Sequence, residues 1–123
     1  MREITVPAEI SFVKMSSYAG TSSTGTVKQL IGLNDDIKGR TIIIVEDIIE
    51  SGLTMKAILA QLAEKQPEAI HICTLLLKPE CLETELDIRY TAFEIPNDFI
   101  VGYGLDYDQQ GRNLKDIYTV VEE

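Results

Sequence analysis

The stretch that most constrains the fold of this chain runs from residue 41 to residue 54 and has the sequence TIIIVEDIIESGLT. Its first five residues form a continuous β-branched run, the pattern of a strand that is buried on both faces of a parallel sheet. In residues 53–65, apolar side chains follow at helical spacing, and Gln66 and Pro67 end the pattern. The sequence therefore predicts a strand, a tight turn and a helix, in that order.

Further strand patterns surround this unit. Residues 69–77, AIHICTLLL, form a second buried-type run, and shorter candidates are TVKQLIGL, RYTAFEI, FIVGYGL and YTVV. Strands that alternate with a helix through tight connections indicate an α/β domain with a parallel sheet. A chain of 123 residues suits one domain, so residues 1–123 are predicted to form a single one.

The beginning of the chain gives two weaker signals. Residues 9–15, EISFVKM, alternate apolar and polar positions, and this alternation predicts a strand. Residues 16–25, SSYAGTSSTG, are small and rich in hydroxyl groups, and they include two glycines. This composition predicts a long flexible loop.

Composition narrows the class of protein. The formal net charge is −9 and no basic patch is visible, so we expect no nucleic-acid partner. No apolar run nears the ~18 residues of a membrane helix, and the start MREITVPAEI lacks an apolar signal core. Cys73 and Cys81 have no metal-ligand spacing. A cytoplasmic protein without a membrane partner is the expectation.

The acidic stretch lies where a ligand site is expected. In parallel sheets, ligands bind beyond the carboxyl ends of the strands, and both Glu46–Asp47 and Lys78 follow predicted strands. Residues 50–54 join a strand to a helix, whose free N–H groups and dipole favour an anion. Gly52 permits a tight turn, and no lysine follows it as in the ATP-binding P-loop. A ribose 5-phosphate fits this arrangement, and an ordinary helix cap after a solvated acidic loop fits it equally.

Several segments in order resemble one family. VEDIIESGLT resembles the signature of type I phosphoribosyltransferases, and SSYAGTSSTG resembles the mobile loop of their hypoxanthine-guanine branch. CTLLLKPE and FEIPNDFIVGYGLDYDQQGRNL are similar to the second half of that branch. The resemblance covers essentially the whole chain. It implies a Rossmann-like, mostly parallel sheet of the type I phosphoribosyltransferase fold.

The resemblance assigns roles on the sugar side of a site. It implies that Glu46 and Asp47 bind the ribose hydroxyls of phosphoribosyl pyrophosphate and, with Asp106, a Mg²⁺ ion. The resemblance also implies that Glu50 is the catalytic residue near purine N7, at a position where the family usually has Asp. The residues that would hold the 5-phosphate are Glu50, Ser51, Gly52, Leu53 and Thr54.

It also assigns roles on the base side. Lys78 would donate to the 6-oxo group of the purine, Phe99 would stack on the ring, and Ile100 would contact its edge through the backbone. Without the resemblance, Lys78 would suit a solvated turn and Phe99 a core position. The remaining implied residues are Arg112 on pyrophosphate and Ser17 and Tyr18 on the mobile loop.

The implied reaction is transfer of ribose 5-phosphate from phosphoribosyl pyrophosphate to hypoxanthine or guanine, giving IMP or GMP. Family members usually carry a longer segment before the position of Met1, with a strand that lies between those matching residues 10–15 and 42–45. We therefore expect a truncated domain of very weak or no activity, whose gap is closed by direct pairing of these two strands or by a second chain in a homo-oligomer.

Three other classes remain open. A receiver domain also uses adjacent acids, Mg²⁺ and a late Lys-Pro, but its acid pair follows the first strand. A regulator that senses phosphoribosyl pyrophosphate and binds RNA would need a basic surface. The third alternative is an inactive or regulatory phosphoribosyltransferase-fold protein that binds nucleotide or phosphoribosyl pyrophosphate without turnover.

Overall fold

The computed structural model describes residues 1–19, 26–33 and 35–121, with the side chains of residues 16–19 and 26–29 left aside. Its regular elements are β1 Lys14–Ala19, β2 Thr26–Ile31, β3 Thr41–Ile49, α1 Leu53–Ala63, β4 Ala69–Leu77, β5 Ile88–Glu94, β6 Ile100–Val101 and β7 Tyr118–Thr119. A short 3-10 helix, Pro79–Cys81, follows β4. Within the described residues, no helix is long and apolar enough to cross a bilayer.

The central sheet is parallel, with the strand order β3-β4-β5. α1 connects β3 to β4 and buries Met55, Ile58 and Leu62. Met55 joins Ile72 of β4 in the core beneath the sheet. The predicted strand, turn, helix and second strand are confirmed, because helical spacing gives α1 one apolar face to lay on the sheet.

β1 and β2 form a separate antiparallel hairpin. Its Met15 and Leu30 pack against a second core around Ile37, Ile58 and Leu62, so the hairpin lies beside α1. The strand predicted over residues 9–15 begins only at Lys14, and residues 9–13 are exposed without strand pairing. The alternating pattern was misleading there because no described strand pairs with residues 9–13.

The loop predicted over residues 16–25 is corrected at its start. Residues 16–19 continue β1 and pair with β2 in register, Ser17 with Lys28 and Tyr18 with Val27. Residues 20–25 lie outside the described part. The pairing satisfies the backbone of this small, hydroxyl-rich segment, and its composition alone could not reveal the partner.

β3 is exposed where burial was predicted. Ile43 is 59% exposed and Val45 78% exposed, so the outer face of β3 is uncovered among the described residues. The β-branched run TIIIV has strand propensity whether one or both of its faces are covered, and α1 covers one.

The edge of β3 also differs from expectation. Its one partner in the described part of the chain is β4, and its other edge has no strand. Direct pairing of residues 10–15 with residues 42–45 is wrong, because β1 makes its hydrogen bonds to β2 instead.

The last part of the chain forms a compact loop region closed by β6 and β7. Isolated bridges join Gly102 to Leu105 and Tyr107 to Gln110. A Cβ on Gly102 would lie 2.1 Å from the carbonyl oxygen of Asp116, so this close backbone approach requires glycine. The N–H of Ile95 donates to the carbonyl of Leu77 at 2.8 Å, which brings the segment leading to Phe99 to the end of β4.

Candidate active site

A pocket of about 270 Å³ opens at the carboxyl end of β3. Its lining combines the end of β3, the turn that follows and the first residues of α1. The lining residues are Glu46, Ile48, Ile49, Glu50, Ser51, Gly52, Thr54 and Met55. The structure thus brings together most of the residues that the sequence predicted for the sugar side.

Gly52 makes the turn possible. It has a φ of +81°, in the left-handed region that side chains disfavour, and it directly precedes α1. A Cβ at this position would lie 2.8 Å from Cδ1 of Leu86 and 3.2 Å from Cδ2 of Leu82. The N–H of Glu83 also donates to the carbonyl of Ser51 at 2.9 Å. The segment after the 3-10 helix therefore packs against the turn, a contact that no sequence signal indicated.

The start of α1 is suited to an anion. The N–H of Leu53 has a weak contact to Oγ of Ser51, at 3.3 Å, and no acid lies in the first turn. In the part of the chain that the structure describes, no acceptor is bonded to the N–H groups of Thr54 and Met55. Free N–H groups and the positive helix end together favour a negative ligand. Phosphate binding by residues 50–54 stays a prediction.

Glu46 and Asp47 lie within β3 instead of beyond its end. Glu46 is opposite Thr74 of β4, and the strand continues through Ile48 and Ile49. Burial, together with a hydrogen bond to Asp47 and the charge of that residue, raises the pKa of Glu46 to about 7. Hydroxyl donors or a cation would therefore stabilise the charged carboxylates of Glu46 and Asp47.

Lys78 is buried and paired, in contrast to the solvated lysine of a simple turn. The side chain of Lys78 is 6% exposed, and its Nζ donates to Oε2 of Glu50 at 2.9 Å. The backbone N–H of Lys78 donates to the carbonyl of Ile49 at 3.0 Å. The ends of β3 and β4 therefore hold the two residues next to each other. The sequence assigned each a role but did not predict their ion pair.

Phe99 is 61% exposed and so has a ring face available for stacking. The ring of Tyr107 meets it edge to face, with centroids 5.4 Å apart and an interplanar angle of 90°. Aromatic pairs favour this edge-to-face arrangement. Ile100 lies in β6, opposite Thr119. Tyr107 escaped the sequence analysis because the contact joins residues across a loop of no regular spacing.

Asp106 and Arg112 face each other. Their side chains are 3.4 Å apart, between Nη2 of Arg112 and Oδ1 of Asp106. Arg112 also donates to the carbonyl of Gly104 at 3.0 Å, and Asp106 accepts from the N–H of Gln109 at 2.9 Å. No hydrogen bond or ion pair of the described residues joins this pair to the turn at residues 50–54.

Two predicted roles have no geometry that supports them here. Within the described residues, no three His, Cys, Asp or Glu side chains are grouped closely enough to hold a metal ion. Asp106 therefore does not form a cluster with Glu46 and Asp47. The backbone of Ser17 and Tyr18 belongs to β1, and their side chains lie outside the described set.

Comparison with known proteins places this arrangement in a family. The family model of the phosphoribosyl transferase domain matches residues 1–108 of this chain. A hypoxanthine-guanine phosphoribosyltransferase of Mycobacterium avium is 47% identical over 97% of this chain, and the chain spans 59% of that relative. A hypoxanthine phosphoribosyltransferase of Salmonella typhimurium is 44% identical over 98% of this chain, which spans 68% of it.

A solved structure gives the same result. A mutant hypoxanthine phosphoribosyltransferase from Trypanosoma cruzi, complexed with the product IMP, matches with a TM-score of 0.80 and 35% identity. The match covers 95% of this chain and 59% of that one. The fold and the family match together define a phosphoribosyltransferase, and the chain belongs to that family. Within it, the relatives reported above are hypoxanthine and hypoxanthine-guanine phosphoribosyltransferases.

Proposed function

We propose that the protein acts in purine salvage by transferring ribose 5-phosphate from phosphoribosyl pyrophosphate to hypoxanthine or guanine. The products are IMP or GMP and pyrophosphate. The observation that carries this proposal is the junction of β3 and α1, where a glycine turn with free N–H groups adjoins paired acids and a buried lysine. The names of the relatives support the same reaction.

The turn and the paired acids bind the donor. Residues 50–54 hold the 5-phosphate through backbone N–H groups and the hydroxyls of Ser51 and Thr54, because the helix start favours an anion. Glu46 and Asp47 accept hydrogen bonds from the ribose hydroxyls. Arg112 contacts pyrophosphate, since guanidinium binds phosphate oxygens bidentately. As pyrophosphate leaves, positive charge develops on the anomeric carbon of the ribose.

Lys78, Phe99 and Ile100 bind the base. Lys78 donates to the 6-oxo oxygen, Phe99 stacks on the purine with ~1–3 kcal/mol of favourable energy, and the backbone of Ile100 contacts its edge. Glu50 holds or accepts the proton at N7. Alignment of the two bound substrates supplies much of the rate gain.

Mg²⁺ fits the donor set on the sugar side. Glu46 and Asp47 carry hard oxygen atoms, and the pKa of Glu46, raised to about 7, marks carboxylates whose charge a cation would stabilise. Glu46 and Asp47 are the residues that would hold it, whereas Asp106, which the family resemblance adds, is not grouped with them among the described residues. When bound, the ion neutralises part of the charge on pyrophosphate.

We also propose a cytoplasmic location and a homo-oligomeric state. The free edge of β3, together with the exposed Ile43 and Val45, supports association of copies of the chain. The cytoplasmic location rests on the two free cysteines, Cys73 and Cys81, which suit a reducing compartment.

Turnover is the direct test of this function. The protein is incubated with phosphoribosyl pyrophosphate and Mg²⁺, and with hypoxanthine, guanine or adenine, and nucleotide formation is followed by absorbance and chromatography. We expect the chain to form IMP and GMP at a very low rate but no AMP, because Lys78 donates to an oxygen that adenine lacks. Binding of phosphoribosyl pyrophosphate without any product would instead identify a non-catalytic binding protein, and the proposed reaction would be wrong.

A further inference from the structure

The ion pair between Glu50 and Lys78 has very unequal surroundings. The side chain of Lys78 is 6% exposed, whereas that of Glu50 is 54% exposed. A buried ammonium group is costly unless it is paired and hydrogen-bonded. Among the described residues, Glu50 is the acid that forms an ion pair with Lys78. Glu50 is therefore the partner that offsets the cost of burying the Lys78 ammonium group.

The backbone fixes where the two side chains start. Ile49 and Leu77 are paired in register at the ends of β3 and β4, and Glu50 and Lys78 are the next residues. The N–H of Lys78 donates to the carbonyl of Ile49, and Pro79 begins the 3-10 helix that follows. The 2.9 Å bond between the side chains thus joins two ends of a rigid sheet. It orients the lysine before any base is bound.

We propose that Glu50 is a positioning residue for Lys78, and that discrimination between 6-oxo and 6-amino purines depends on this pair instead of on Lys78 alone. The inference rests on the proposed function and deepens it. An ammonium group has three N–H donors, and one of them is used by Glu50. In this proposal another of them donates to the 6-oxo oxygen, which accepts a hydrogen bond, whereas a 6-amino group cannot.

The geometry of the base fits a joined donor and acceptor. The 6-position and N7 of a purine are neighbours on one edge of the ring. A carboxylate and an ammonium that are bonded to each other therefore meet these two atoms together. If Glu50 is replaced by an uncharged residue, Lys78 is still present but no longer has the negative partner that holds its side chain in place. Selectivity should then fall even though the donor is still present.

A thermodynamic cycle without ligand tests the pair itself. Thermal unfolding is measured for the full chain and for Glu50→Gln, Lys78→Met and the double variant. We expect Glu50→Gln to lower the unfolding midpoint, because it leaves a buried ammonium beside an uncharged amide. In the double variant, that loss should be reduced, because the buried charge is gone. Strictly additive effects of the two substitutions would overturn the inference.

Equilibrium binding of hypoxanthine and adenine tests the consequence. We expect Glu50→Gln to reduce the preference for hypoxanthine by about tenfold, the change that corresponds to ~1.4 kcal/mol. Glu50→Asp, which keeps the carboxylate, should retain most of the preference. Glu83→Gln is the control, because it removes an exposed carboxyl group close to the turn without contacting Lys78.

The possible outcomes separate this inference from the proposed function. If the unaltered chain binds hypoxanthine in preference to adenine and Glu50→Gln keeps that preference, the positioning role is wrong and the proposed function stands. If the unaltered chain binds neither hypoxanthine nor guanine, the proposed function fails and the selectivity role fails with it. The unfolding cycle then still decides whether Glu50 stabilises the charge of Lys78.

Discussion

At the scale of single residues, the site depends on side chains whose neighbours change their chemistry. Lys78 is an ordinary lysine in the sequence, and burial beside Glu50 makes it a fixed donor. Glu46 is one of two adjacent acids, and burial raises its pKa to about 7. The sequence indicated that these residues carry chemistry, because they follow predicted strands. It could not indicate which of them are paired, because pairing depends on the register of β3 with β4.

The raised pKa of Glu46 predicts a pH-dependent stability. Its ordinary value is 4.5, so between about pH 4.5 and 7 the folded protein keeps a proton that the unfolded chain has lost. The contribution of Glu46 to the free energy of unfolding therefore falls as pH rises through this window. Glu46→Gln should remove this fall, so that the variant gains stability relative to the unaltered protein at pH 8.

Denaturant unfolding between pH 4 and 8 in a buffer free of divalent cations checks this expectation. Glu64→Gln serves as the control, because it removes one negative charge at an exposed position of the chain. An identical pH profile for Glu46→Gln and the unaltered protein would show that Glu46 does not titrate in this range.

At the scale of elements, the sequence was most reliable where local pattern and burial agree. β4 has the bounds that its apolar run predicts, and α1 begins at the predicted Leu53 but ends at Ala63, two residues before the helical pattern does. The sequence-based prediction of burial was wrong for the outer face of β3, because an apolar β-branched run has the same composition whether or not a neighbour covers it. The strand predicted for residues 9–13 is absent for a related reason, because an alternating pattern does not specify a partner strand.

The turn between β3 and α1 allows a matched test of its packing. Gly39 and Gly52 both have positive φ, +74° and +81°, but a Cβ on Gly39 would meet no atom within 4 Å. Gly39→Ala should therefore cost only the backbone strain, about 1–2 kcal/mol of the free energy of unfolding. Gly52→Ala should cost more, by about 1 kcal/mol, because the methyl ends of Leu86, Leu82 and Thr84 must shift to make room for its Cβ.

The affinity for phosphate or sulfate should also fall in Gly52→Ala and remain unchanged in Gly39→Ala. Gly52→Ala displaces the turn whose N–H groups are expected to hold the anion, whereas Gly39→Ala lies at a separate turn before β3. Titration with inorganic phosphate, followed by chemical shifts of the Thr54 and Met55 amides, measures this. Equal phosphate affinity in both variants would show that residues 50–54 are only a helix cap.

At the scale of the whole molecule, the hydrogen-bonding capacity of β3 is half used. It is nine residues long and pairs with β4 on one edge, and none of the described strands pairs with the other. The exposed Ile43 and Val45 adjoin that free edge. An apolar edge strand of this length favours pairing with another chain, because its free N–H and C=O groups and its apolar face are then covered together.

We therefore expect the chain to form a dimer or larger oligomer through β3. Burial of a valine side chain contributes about 1.5–3 kcal/mol, so Val45→Lys should weaken self-association by at least roughly tenfold. Ala60→Lys, at an exposed position of α1, is the matched control and should leave association unchanged. Sedimentation velocity across a range of protein concentrations measures the effect. A monomer at every concentration, or the same loss of association in both variants, would show that β3 is not the interface, because Val45 lies on the exposed face of β3 and Ala60 does not.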